Sequence, residues 1–276
     1  PIAALLVIFA LSASFWAVFK QNGTALTRWA KYYTDREVSE VIEKPARFFY
    51  QVETMPTKID SVPVYDEQFQ AVKVDGVVQK ELGRDVYFRN LPPEKQPQND
   101  EPVYLISTEL FQSVNPFWVV VLTPLVVGFF AMLARRKKEP STATKIAFGL
   151  LISALSTLVM VWAVYYGSNG EVKVSPMWLV GCYGVITIGE LLLSPMGLSL
   201  VSKLSPPRLT ALMMGGFFLS TSIGNKMSGV LASMWYDYEN KANFYLFNCM
   251  LLLISAGLAF MVLKWLNRIM KEKNLH

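Results

Sequence analysis

The chain has 276 residues, 53% of them hydrophobic and 17% charged. A soluble domain carries about 25% charged residues, so a disordered chain, a disulfide scaffold and a typical cytosolic enzyme are excluded. The net charge is +5, yet residues 31–109 hold ten basic and fifteen acidic side chains, and the remainder is strongly basic. The positive residues stand in short blocks beside apolar runs, as in membrane proteins, and not on one soluble face as a nucleic-acid binder requires. The lone histidine is the last residue, His276, so His-based metal sites and catalytic triads are excluded. Cys182 and Cys249 lie in apolar runs and read as small buried hydrophobes, with no disulfide or metal implied.

A bilayer core of about 30 Å needs about 20 mostly apolar helical residues. Six segments meet that standard, near 2–29, 110–134, 143–167, 176–203, 209–236 and 243–268. The first has no initiator Met, no basic n-region and no small-residue cleavage site, and so is not read as a signal peptide. Its abrupt start inside a hydrophobic helix reads as a fragment that lacks its N-terminal part. The expected organisation is a first span over 1–30, a loop insertion of mixed structure over 31–109, and five spans with a tail over 110–276.

The loop insertion has seven prolines and no cysteine. Alternation around Asp75-Gly76 signals a hairpin turn, and a short helix near 35–50 followed by short strands is expected. After the second span comes Arg135-Arg136-Lys137-Lys138; after the fourth, Lys203 and Arg208; after the sixth, Lys264, Arg268, Lys271 and Lys273. The Lys/Arg bias puts these three connections on the cytoplasmic side. The C-terminus is then cytoplasmic and 31–109 extracytosolic.

An ionisable side chain deep in a bilayer is costly, and is usually paired or functional. Three stand within the spans: Lys20, Glu190 and Lys226. Helical rise puts them near one layer, where a carboxylate between two ammonium groups would form a charge network. Glu190 is the only carboxylate inside a span, and Ser194-Pro195 follows it one helical turn along. A proline frees a backbone carbonyl, and polar groups beside such breaks are common where transporters line a cavity. Spans three and six have no ionisable residue in their central turns and are expected to face lipid.

Four stretches together resemble the proton-coupled oligopeptide transporter family of the major facilitator superfamily. They are Phe15–Gln21, Phe111–Pro116, Gly189–Ser199 with the following Lys203–Pro206, and Phe218–Asn225. The resemblance covers the chain except most of 31–109, and the Gly189–Ser199 stretch is its most specific part. It implies an all-α membrane protein whose six spans form the C-terminal bundle of that fold. It further implies a secondary transporter importing di- and tripeptides by proton symport, as a monomer, with no organic cofactor or metal and no catalytic residues. The partners would be the peptide, protons, the lipid bilayer and the missing N-terminal six-helix half; no nucleic acid is involved.

By the same resemblance Glu190 matches a glutamate near the peptide amino terminus that takes part in proton coupling. Asn115 matches an asparagine bonded to the peptide backbone, Ser194 a pocket serine and Trp16 a cavity-wall aromatic. Phe217 stands where some members have a cavity tryptophan. Lys20 replaces an acidic residue that makes an inter-bundle salt bridge, so the gating charge is reversed, and Lys226 matches no family role. A bacterial inner membrane is the expected location. The alternatives are a transporter of amino acids or other peptide-like solutes with altered coupling, and a receptor or scaffold acting through 31–109. An intramembrane enzyme lacks any supporting constellation of residues.

Overall fold

The computed structural model describes residues 2–38, 51–97 and 101–272. The chain forms α1 (Ile2–Phe19), α2 (Ala25–Tyr32), six short strands, α3 (Leu110–Arg135), α4 (Thr142–Tyr166), α5 (Met177–Leu204), α6 (Thr210–Ser233) and α7 (Lys241–Glu272). Among the described residues five segments are long and apolar enough to cross a membrane: Ile2–Tyr32, Leu110–Arg135, Thr142–Tyr166, Met177–Leu204 and Lys241–Ile269. The remaining long helix, α6, fifth of the expected spans, is nearly as long but diluted by glycines, serines, Asn225 and Lys226.

α4 packs between α5 and α7, α1 packs on α6 and α7, and α3 leans on α5. Trp29, Trp235, Tyr183, Phe15 and Phe244 are fully buried in the shared core. The third span is therefore more enclosed than its apolar sequence suggests. Its exposed side chains are a stripe through Phe148, Leu155 and Trp162 and the terminal Tyr165 and Tyr166. The reverse holds for α3, whose one buried residue is Phe111.

Local chemistry sets the helix ends. The Ser141 hydroxyl accepts from the Thr144 amide and caps α4, and it donates to Asn267 Oδ1 at 2.7 Å, tying the start of α4 to α7. α3 ends with Lys137 at a φ of 52°, and the Lys138 amide reaches back to the Leu133 carbonyl at 2.9 Å, the geometry of a Schellman stop.

The first span is broken where a continuous helix is expected over 2–29. A 3-10 turn occupies Lys20–Gly23, and α2 starts anew after Thr24. The break is stabilised locally: Gln21 is buried, donates to the Ser228 carbonyl of α6 at 3.3 Å and accepts from the Thr24 hydroxyl at 2.9 Å.

The insertion contains three two-stranded antiparallel sheets. β1 (Val52–Met55) pairs with β6 (Val103–Ile106), β2 (Asp60–Pro63) with β5 (Lys80–Gly83), and β3 (Lys73–Val74) with β4 (Val77–Val78). Asp75 and Gly76 both take positive φ, 52° and 79°, the turn chemistry expected of that dipeptide. A small core of Tyr87, Phe88, Leu91 and Leu105 fills the insertion. Of the helix expected near 35–50, residues 35–38 are non-helical and Glu37 bridges Leu105; 39–50 lie outside the described residues.

α4 and α5 cross at glycines. A β-carbon on Gly189 would collide with Ser153 Oγ and come within 2.8 Å of the Gly149 carbonyl. Gly189→Ala is expected to cost about 1–3 kcal/mol through overpacking, read as a lowered thermal midpoint in detergent. Gly229→Ala, where a β-carbon meets nothing within 4 Å, is expected to leave it unchanged or slightly raised.

Candidate functional site

The polar groups inside the membrane converge where α3 meets α5. Asn115 Nδ2 donates to Thr187 Oγ1 at 2.9 Å and to Glu190 Oε2 at 3.0 Å. Thr187 in turn donates to the Tyr183 carbonyl at 2.6 Å, which aims its lone pairs at Asn115. Helical spacing explains the grouping: Thr187, Glu190 and Ser194 follow at intervals of three and four and share one face of α5. Trp118 Nε1 donates to the Val180 carbonyl at 3.0 Å and adds a second polar tie between the helices. Thr187 was missed in the sequence, although a polar residue three positions before Glu190 was the signal for it.

Glu190 is half-buried, and among the described residues its hydrogen bonding is confined to Oε2. The other oxygen is open to accept from an ammonium group or to take a proton. Ser194 Oγ and Trp16 Nε1 are buried without a partner. Trp16 sits on α1 where α6 comes closest: a β-carbon on Gly224 would lie 2.5 Å from Trp16 Cβ and 2.8 Å from the Ala13 carbonyl oxygen. Phe217 is 4% exposed and packs edge-on to Phe9 at 6.1 Å, against Gly197. It therefore supports the wall from behind.

The expected layer of one carboxylate between two ammonium groups does not form. Among the described residues neither Lys20 nor Lys226 comes within 4.0 Å of a Glu190 oxygen. Lys20 acts on Glu190 only through space; its ammonium lies 5.5 Å from the Trp16 ring and 5.7 Å from that of Phe19. The break after Phe19 redirects it, and such an aromatic seat offsets part of the cost of an unpaired cation. Lys226 is exposed on α6. Equal depth along separate helices does not bring side chains to the same side. No group of three or more His, Cys, Asp or Glu able to hold a metal occurs among the described residues.

A second polar region joins the insertion to the end of the bundle. A cleft of about 930 Å³ is lined there by Asp66, Phe69, Arg89, Asn169 and Lys241, among others. Lys241 is buried and fully engaged by Gln68 Oε1 and the carbonyls of Trp235 and Tyr238 at 2.7–2.9 Å. Asn90 clamps the insertion to the bundle through the carbonyls of Tyr32 and Gly170 at 3.0 and 2.9 Å. Lys173 is 6% exposed, donates to the Tyr32 carbonyl at 2.7 Å and sits 4.5 Å from the Tyr87 ring. Burial pulls its ammonium down to about 7 from 10.5; the Arg36 charge adds to this, and Asp35 and Asp85 oppose it.

A membrane bundle with a half-free carboxylate on a polar helix face, one turn from a proline, has the features of a secondary transporter bundle. The sequence pattern of the POT family matches residues 100–248, more than half of the chain, and the chain belongs to that family, whose members are transporters and not enzymes. It is 38% identical over 127 residues to the peptide transporter YePEPT of Yersinia enterocolitica, across 46% of this chain and 25% of the relative. It is 33% identical over 135 residues to dipeptide and tripeptide permease A of Escherichia coli, across 49% of this chain and 26% of the permease. The crystal structure of the peptide transporter POT in complex with sulfate superposes with a TM-score of 0.66 at 24% identity. That match covers 97% of this chain and 41% of the other, and establishes the fold. The chain thus spans about two fifths of a solved transporter's length.

The Lys173 geometry has a pH signature. The undocked lysine holds a proton between about pH 7 and 10.5 that the docked one releases, so docking of the insertion strengthens as pH rises through that window and is weakest below about pH 7. Amide exchange at Tyr33–Glu37, corrected for intrinsic rates, is expected to be faster at about pH 6 than at about pH 9. Lys173→Met, which keeps the stem and removes the charge, is expected to abolish the difference.

Proposed function

We propose that this chain is the C-terminal bundle of a transporter that imports di- and tripeptides with protons, working against a second six-helix bundle in one monomeric protein. Membership of the POT family and relatives described as peptide transporters support the substrate class. The Asn115–Glu190 hydrogen bond, 3.0 Å long between two membrane helices, carries the reading. In it Glu190 Oε1 receives the peptide's amino terminus, and the same carboxyl takes up the proton. Asn115 exchanges its bonds between Glu190, Thr187 and the peptide backbone. Ser194 and Trp16 supply further polar contacts from atoms that now lack partners, and Phe217 shapes the wall through Phe9.

The basic block 135–138 supports a cytoplasmic position for that end of the bundle and an extracytosolic insertion, and the location proposed is a bacterial inner membrane. Binding energy comes from opposite charges gripping the two peptide termini, and transport from one bundle rocking against the other. Lys20 and Lys226 are assigned to gating, since each carries a positive charge that is not paired with Glu190. The position of Lys20 over Trp16 favours a second reading, in which the solute is an amino acid or another peptide-like compound and coupling is altered.

The test is uptake of labelled dialanine by the full-length protein in liposomes, with and without an inward proton gradient. Uptake driven by the gradient is expected, falling at least about tenfold in Glu190→Gln, a loss of about 1.4 kcal/mol or more. Gradient-independent uptake supports the second reading, and no uptake by folded protein overturns the peptide assignment. Function lost on deleting the insertion but kept in Glu190→Gln would instead mark a receptor.

A further inference from the structure

At the basic end of the bundle α3 stands away from α4 and leaves a groove of about 340 Å³. Its walls are apolar: Val126, Val127 and Phe130 from α3 face Leu191, Pro195 and Met196 from α5. None of Asn115, Thr187 or Glu190 borders it, so it is separate from the polar cluster. One end is closed by Lys145, whose side chain is only 7% exposed and whose ammonium lies 4.3 Å from the Phe130 ring. Its partner is Glu139 at 2.5 Å, a carboxylate 42% exposed to water.

The Schellman stop at Lys137 folds the chain back across this mouth, so the exposed run Arg135-Arg136-Lys137-Lys138 adjoins it. Four exposed cations, one buried cation and a single partly exposed carboxylate thus stand at one end of a greasy slot. A basic pocket between membrane helices, at the level of the headgroups, matches a lipid that is anionic at one end and hydrocarbon at the other.

We propose that this groove binds an anionic phospholipid of the surrounding bilayer, with one acyl chain along the α3–α5 wall and its phosphate between Lys145 and the 135–138 turn. The phosphate takes over Lys145 from Glu139. The buried ammonium is then neutralised from the lipid side, and the apolar walls of the groove gain a hydrocarbon partner. The inference does not depend on which solute is transported.

Native mass spectrometry of the delipidated full-length protein, titrated with phosphatidylglycerol or phosphatidylcholine, tests this. Phosphatidylglycerol is expected to be retained about tenfold more tightly. Lys145→Met, and separately Ala131→Trp, which fills the groove from an exposed lining position, are each expected to weaken it about fivefold without changing phosphatidylcholine. If Lys145→Met does not fold, Ala131→Trp carries the same test. Equal retention of the two lipids overturns the proposal. So does loss of retention on neutralising 135–138 while both groove variants bind normally, which marks surface attraction alone. Oleate binding as tightly as phosphatidylglycerol overturns the phospholipid assignment in favour of a free fatty acid.

Discussion

A carboxyl group placed among hydrocarbon has to be held by something, and here the holder is a side-chain amide on a neighbouring helix. The Asn115–Glu190 bond does more than relieve Glu190. α3 buries one residue, Phe111, and hydrophobic burial provides little drive between helices that already lie in lipid. Against α5 it is held by directional contacts, Asn115 to Thr187 and Glu190 and Trp118 to the Val180 carbonyl, and by Val114 and Trp118 packed on the core. The group best placed to exchange a proton is thus also one that holds a helix. A change at Glu190 reaches the packing of α3 with no relay in between.

The opposite regime governs the other side of the bundle. α4 and α5 interlock through the close contact of Gly149 with Gly189, and fully buried aromatics fill the core beside α1, α5 and α7, where a single methyl group is felt.

Much of this was legible in the sequence because of how membranes constrain helices. Twenty apolar residues in a row leave few alternatives, so the spans fell within a few residues of the helices. A lone carboxylate in such a run stands out, so Glu190 drew attention by itself, whereas Asn115 was singled out through the family resemblance; the structure bonds the two together. Azimuth was not legible. Lys20, Glu190 and Lys226 have similar depth by counting, yet the turn at Lys20–Gly23 and the outward face of α6 send the two lysines elsewhere. The break itself was hidden because Gln21 and Thr24 satisfy it through contacts that are local or 207 residues distant. Lys173 was hidden too: a lysine in a short connection reads as solvated, and its burial depends on the insertion folding over it.

The insertion leaves and rejoins the bundle through two stems lying side by side. The Val38 amide bonds to the Tyr104 carbonyl at 2.9 Å and the Ile106 amide to the Arg36 carbonyl at 2.8 Å, while the Arg36 guanidinium grips Glu53 and the Ile106 carbonyl. With the stems stitched together, the cost of closing whatever lies between them grows only slowly with its length. The segment is thus a cassette. Its far tip, the Asp75-Gly76 turn, is the place where the chain can accept a tag or a foreign epitope while the helices beneath keep their register.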